Sequence, residues 1–290
     1  RRVSYGVQDY NLNVQKAIHR IQPFEHVEQV TRWAREIGYE SISHDLVFGL
    51  PFQSLEDVLN TIEKTNSLSP DRLAFYSYAH VPWIKGNGQR GFKDQDVPKD
   101  DVKRTLYEEG KKRLLAHGYH EIGMDHFALE HDSMYQSFQQ GSLHRNFMGY
   151  TSSKTKVMIG LGLSSISDSW YSFAQNEKTL EDYYARLEQN EIPVFKGHIL
   201  SQEDLIIRQH ILNLMCTFKT SWAEPSMAFP ELPEVLSQLE EMQQDGLLVL
   251  QPQGIQITEQ GKPFIRNICM AFDLYLKRKQ PQTRIFSMTI

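Results

Sequence analysis

The first 85 residues switch repeatedly between strand and helix periodicity, and that alternation limits the fold more than any other feature. Residues 3–7 read as a strand. Residues 13–19 and 24–37 read as helices, the second with Val27, Val30, Ala34 and Ile37 on one face and Gly38 as its stop. Residues 41–48 give the next strand, ended by Gly49-Leu50-Pro51. Ser54 and Asp57 have the spacing of a capping box, and the helix they open carries Leu55, Val58, Leu59 and Ile62 on its apolar face. Ser69-Pro70-Asp71 breaks that helix, and residues 72–78 form a third strand. Strands separated by helices at intervals of roughly 30–40 residues imply βαβ units and a parallel sheet, because parallel neighbours need a crossover connection.

In such sheets ligands bind at the carboxyl ends of the strands. Those ends hold Gln8 and Asp9, then Asp45, then Tyr78-Ala79-His80. Three strands do not close a barrel, and residues 3–7 would be left as a bare parallel edge, an aggregation liability. The chain also starts at Arg1 rather than Met. Both features give the expectation that further strand-forming sequence precedes Arg1.

Downstream, residues 85–99 form a polar loop with Gly86, Gly88 and Gly91. A helix over 101–117 ends at Gly118, and an extended piece at 119–124 leads into a loop-rich stretch reaching Asp168. From about Thr179 the pattern is mostly helical and winged-helix-like: helices at 202–217 and 233–244, a hairpin of 247–250 with 255–258, and a long helix over 262–277. The expected organisation is half of a barrel over 1–90, a segment covering substrate and cofactor over 91–175, and a mainly α-helical domain over 176–290.

Composition excludes several classes of function. The 290 residues are 40% apolar and 23% charged, as in soluble globular proteins. No apolar run reaches the roughly 18 residues that cross a bilayer, and no secretory signal is legible. The net charge of −5 offers no basic field for nucleic acid. The candidate recognition helix at 233–244 carries Glu234, Glu240 and Glu241 but no Lys or Arg. Cys216 and Cys269 lie far apart in helix-like apolar patterns, so they read as buried structural thiols in a reducing cytoplasm.

Among the chemistry-bearing residues, Asp45 precedes the apolar Leu46-Val47-Phe48. A carboxylate there needs either a basic partner or a polar ligand such as a ribose or an amine. Gln8 at a strand end has ligand geometry; Arg20 alone reads as surface. His117, His120, His126 and His131 crowd one segment, but no pair has the spacing and companions of a zinc site. His126, beside Asp125, can donate to a substrate carboxylate. His144 and Arg145, with Asn146, Phe147 and Tyr150, suit a flat anionic ligand or a loop packed on its own aromatics. Gly160-Leu161-Gly162 lacks the third glycine of a dinucleotide fingerprint, Ser165 standing there; Ser164 and Ser165 still permit close approach of backbone to an adenine or ribose. Lys277, Arg278, Lys279 and Arg284 read as a solvated helix end.

Three runs carry a family resemblance: Gly6-Val7-Gln8-Asp9, Gly123-Met124-Asp125-His126-Phe127-Ala128, and Leu143-His144-Arg145-Asn146-Phe147-Met148-Gly149-Tyr150. Together they resemble the oxygen-independent coproporphyrinogen III oxidases over essentially the whole chain. The resemblance implies an α/β fold: the C-terminal part of a partial (β/α)6 radical S-adenosylmethionine barrel, followed by the helical domain. It implies a 4Fe-4S cluster on a Cys-x3-Cys-x2-Cys motif that reduces S-adenosylmethionine to a 5′-deoxyadenosyl radical. The radical takes a hydrogen from a propionate β-carbon, and loss of carbon dioxide and one electron leaves a vinyl group. Done twice, this turns coproporphyrinogen III into protoporphyrinogen IX in haem biosynthesis.

By motif match, Gln8, Arg20, Asp45 and the backbone of Ala79 would hold a second S-adenosylmethionine, and Ile166 would touch the first. His126, His144 and Arg145 are the candidate substrate-binding residues. The resemblance also implies an electron-transfer partner protein and a cytoplasmic monomer. The cluster motif is absent, Cys216 and Cys269 cannot replace it, and the chain alone is expected to be inactive. Two rival readings stand. One is a haem chaperone of the same superfamily, against which Ile18-His19-Arg20-Ile21 and the Leu143–Tyr150 run speak. The other is a non-catalytic remnant of a barrel.

Overall fold

The computed structural model describes residues 1–81 and 92–279. Residues 85–91 of the predicted loop, with its three glycines, and Arg284 lie outside the described residues. By packing, the chain divides after Gln136 into two compact units, within the segment that the sequence reading sets apart as 91–175.

The first unit opens with β1 (Arg2–Gln8), α1 (Leu12–Ala17), α2 (Phe24–Ile37), β2 (Ser41–Phe48), α3 (Leu55–Ser67) and β3 (Arg72–Ser77). Each follows from its local chemistry. α2 stops at Gly38, whose φ of 94° is a left-handed conformation open to glycine without cost. α3 starts at the predicted capping box, with Ser54 and Asp57 satisfying each other's backbone N–H. β1, β2 and β3 are parallel and adjacent, as the alternation predicted. Beyond them α4 (Asp100–Ala116) leads to the short antiparallel strands β4 (His120–Gly123) and β5 (His126–Ala128), giving the sheet order β1-β2-β3-β5-β4. The sheet is open.

The core of this unit is aromatic. Phe48, Phe75, Tyr107, Tyr119 and Phe127 are buried with Leu46, Ile62, Leu73 and Leu114 between the sheet and α3 and α4. Burial of each large side chain contributes about 1.5–3 kcal/mol.

After α5 (Ser133–Gln139) the second unit carries a hairpin of β6 (His144–Asn146) and β7 (Gly149–Thr151). It then departs from the expected loop. β8 (Val157–Met158), β9 (Ile166–Ser169), β10 (Ser172–Asn176) and, after α6 (Leu180–Glu188), β11 (Val194–Ile199) form a four-stranded antiparallel sheet. Its strands are short and rich in Ser, so their local pattern is weak; pairing with neighbours makes them strands.

The winged-helix arrangement follows: α7 (Gln202–Thr217), β12 (Lys219–Ser221), α8 (Leu232–Gln244), β13 (Leu248–Gln251) and β14 (Gly254–Ile257), with β14 central in a three-stranded wing. The single long helix expected over 262–277 is instead a 3-10 turn at Lys262–Phe264, α9 (Ile265–Met270) and α10 (Leu274–Lys279). The break has a cause: the Asp273 carboxylate accepts the Leu276 N–H and starts a new helix, while Phe272 turns fully into the core.

Candidate functional site

The parallel strands bring Gln8, Arg20 and Asp45 together at the sheet's carboxyl edge. Gly6 and Asp45 are direct partners across β1 and β2, and the register then slips, so that Gln8 pairs with Leu46. Gln8 has a φ of 66°, a left-handed conformation that costs a non-glycine residue on the order of 1 kcal/mol. That twist aims its amide back over Gly6. A Cβ at Gly6 would lie 2.7 Å from Gln8 Nε2 and 3.0 Å from Arg20 Nη2, so only glycine leaves room for both groups.

Arg20 reaches the edge from the loop after α1. Its Nη2 donates to the Gly6 carbonyl at 2.7 Å and its Nε to Gln22 Oε1 at 3.3 Å. Nη1 has no partner among the described residues. The partly buried Asp45 accepts the Ser4 hydroxyl at 3.0 Å, and burial raises its carboxyl above the usual range, offset by the Ser4 bond and the Arg20 charge. The cluster thus offers the unpartnered Nη1 of a guanidinium anchored by its other nitrogens, an amide, and a carboxylate with spare acceptor capacity. Ala79 follows β3, two strands along the same edge, where Tyr78 N–H donates to the Phe48 carbonyl.

A second layer holds this cluster. The buried Gln15 amide donates to the Asp9 carbonyl at 2.9 Å and to the Gln22 carbonyl at 2.7 Å, and accepts the Gln22 N–H at 3.0 Å. It therefore clamps the Arg20 loop to the end of β1. Asp9 is fully buried, accepting the Asn11 N–H at 2.5 Å and the Gln53 amide at 2.7 Å; burial pushes its carboxyl up to about 6. The sequence reading missed Gln15, although a glutamine on the inward face of so short a helix is itself a signal.

The four clustered histidines face different partners: Glu63 for His117, Glu130 for His120, Asp71 for His131 and Tyr76 for His126. Cys216 and Cys269 are buried and free, as predicted, with thiols pushed up to about 11 and about 12 by desolvation.

In the second unit, Ile166 opens β9. Its backbone lies so close to Gly160 that a Cβ there would meet it at 2.8 Å. The Gly160-Leu161-Gly162 run serves this contact: Asn176 Nδ2 donates to both glycine carbonyls, and Ser165 Oγ closes on Leu161. The loop is thereby closed on itself around Ser164 and Ser165. His144 and Arg145 share β6. Burial lowers the His144 pKa, helped by the charges of Lys154 and Arg208. Arg145 lies 5.7 Å from the centre of the Tyr150 ring, and its buried Nε has no hydrogen-bond partner.

The open sheet with polar groups gathered at its parallel carboxyl edge, followed by a unit bearing a winged helix, is an architecture shared with a solved radical S-adenosylmethionine enzyme. A solved structure reported as "Coproporphyrinogen III oxidase (HemN) from Escherichia coli is a Radical SAM enzyme" matches 95% of this chain and 64% of that one, at a TM-score of 0.89 and 38% identity. The family model described as the HemN C-terminal domain matches residues 200–264. Curated relatives named oxygen-independent coproporphyrinogen III oxidase are 39% identical in Synechocystis, over 100% of this chain and 64% of the relative. In Escherichia coli the figures are 38%, 96% and 62%, and in Thermostichus vulcanus 36%, 97% and 88%. The chain belongs to the oxygen-independent coproporphyrinogen III oxidase family. It spans just under two thirds of the length of the Synechocystis and Escherichia coli relatives.

Proposed function

We propose that this chain is the cofactor- and substrate-recognition part of an oxygen-independent coproporphyrinogen III oxidase. The reaction of the whole protein is then the oxidative decarboxylation of two propionates of coproporphyrinogen III to vinyl groups, giving protoporphyrinogen IX in haem biosynthesis. The observation that carries this reading is the Gln8, Arg20 and Asp45 cluster over the open face of Gly6.

The residues fit an S-adenosylmethionine. The Arg20 guanidinium, with Nη1 unpartnered, suits its carboxylate. Asp45 suits an ammonium or a ribose hydroxyl, and the Gln8 amide and the Ala79 backbone complete the cradle. This cradle would hold the second S-adenosylmethionine, while the first, cluster-bound one supplies the family's radical chemistry. Ile166 would contact that first S-adenosylmethionine, and His126, His144 and Arg145 would meet substrate carboxylates.

The cysteines do not fit a 4Fe-4S cluster. Such clusters are held by several closely spaced thiolates, and the chain has only two cysteines, Cys216 and Cys269, far apart in sequence and both buried. We therefore route no step through them. An electron-accepting partner, a monomeric state and a cytoplasmic setting belong to the same proposal.

Calorimetric titration with S-adenosylmethionine tests the reading. The chain should bind it, and Arg20→Ala and Asp45→Asn should each raise the Kd about tenfold or more, since one charge-assisted contact is lost in each. A wild-type chain that binds no S-adenosylmethionine, or variants that bind as the wild type does, would remove the proposal's support.

A further inference from the structure

The second unit contains a cavity of about 630 Å³, within the size range of small-molecule sites. Its lining has one charge sign in excess. Lys154, Lys156 and Arg208 all line it, and its one carboxylate, Asp168, is engaged by Arg208. Asp168 accepts Arg208 Nη2 at 2.8 Å, while Arg208 also donates to the Ser169 and Trp170 carbonyls and lies 4.9 Å from the centres of both the Trp170 and Phe173 rings. Arg208 is thereby fixed as a rigid part of the wall.

Lys154 and Lys156 have no acidic or hydrogen-bonding partner among the described residues. Two lysines lining one hollow, whose carboxylate Asp168 is paired with Arg208, give it a net positive charge that attracts anions. Trp170 and Tyr171 give the hollow flat aromatic walls, and Leu143, Val157, Met158 and Leu212 an apolar floor.

We propose that this cavity is a carboxylate subsite for a flat, apolar polyacid, with Lys154 and Lys156 as the donors. Resting on the reading above, that ligand is the tetrapyrrole substrate, two of whose propionates reach the lysine pair while the ring lies against the aromatic wall. The lysines bind and orient; no chemistry is assigned to them. His144 lies at the cavity wall as a neutral donor or acceptor.

The experiment uses the full 290-residue chain and coproporphyrin III, the stable oxidised tetracarboxylate, followed by its fluorescence anisotropy. In parallel, acetylation of lysines is mapped by mass spectrometry with and without the porphyrin. The expected result has three parts: saturable binding, slower acetylation of Lys154 and Lys156 in the complex, and a Kd about tenfold higher in the Lys154→Gln, Lys156→Gln double variant. The Lys154→Arg, Lys156→Arg variant should restore affinity. Both lysines are exposed, so neither change threatens folding. Binding with unprotected lysines and an unchanged Kd in the glutamine variant would overturn the cavity assignment and leave the tetrapyrrole reading standing. No binding by the wild-type chain would overturn both.

Discussion

Two buried ionisable residues in the first unit pull its stability in opposite directions with pH. Asp9 has a folded-state pKa of about 6 against an ordinary 3.8, because burial disfavours its charged form. The folded state holds that proton more tightly, so this contribution is complete below about 3.8 and is lost as pH rises through about 6. His44, fully buried with Nε2 3.0 Å from Thr31 Oγ1, is lowered from 6.5 to about 4, chiefly by burial and then by the Arg35 charge. Its contribution is complete above 6.5 and is lost as pH falls through about 4. Each shift corresponds to a free energy on the order of 3 kcal/mol. Across pH 4 to 6.5 the two slopes oppose each other, and single substitutions should separate them. Denaturant midpoints for Asp9→Asn should climb with pH over that window, and those for His44→Gln should fall. Parallel slopes in the two variants would contradict burial as the cause. Neither residue's charge state was legible in the sequence. Asp9 was noted only as a strand-end neighbour of Gln8, because burial comes from α3 and β2, which are distant in the chain.

At the scale of elements, α4 packs on the sheet through a glycine. A Cβ at Gly110 would meet Phe75 Cζ at 2.6 Å and Cε1 at 2.7 Å. Phe75 cannot give way, since it is buried against Phe48 and Tyr107 with ring centroids at 4.7 and 6.3 Å. Alanine gains about 1 kcal/mol of helix propensity over glycine, but overpacking a filled core costs about 1–3 kcal/mol. Gly110→Ala should therefore lower stability by about 1 kcal/mol, measured as a reduced denaturant midpoint at unchanged slope. A stabilised variant would show that the helix can move off the sheet. The elements best read from sequence were α2, β2 and α3, each with a legible pattern and a clear cap or stop. The antiparallel sheet of β8 to β11 was missed, because a two-residue strand such as Val157–Met158 has no period of its own to detect.

At the scale of the whole molecule, the recognition residues and the thiols tell different stories. The parallel edge offers a cradle for a charged cofactor, while Cys216 and Cys269 are buried and held as neutral thiols. Anaerobic reconstitution of this chain with ferrous iron and sulfide should give no cluster absorption, and incubation with S-adenosylmethionine and a reductant should give no 5′-deoxyadenosine. Detection of that product would mean that the chain assembles a radical source from other groups.

Arg20 became a candidate only through the family resemblance; the sequence by itself determined the α/β class, the parallel order of β1 to β3, the winged-helix pattern, and Gln8 and Asp45 as candidates. Those properties rest on local periodicity, caps and motif spacing, which neighbouring residues encode. Only the tertiary structure decided that Gly6 leaves the space where Gln8 and Arg20 converge, that Gln15 clamps the Arg20 loop, and that two unpaired lysines share a hollow with Trp170 and Tyr171. These depend on distances between groups far apart in the chain. Such distances are set by sheet register and core packing, and no local pattern of residues carries them.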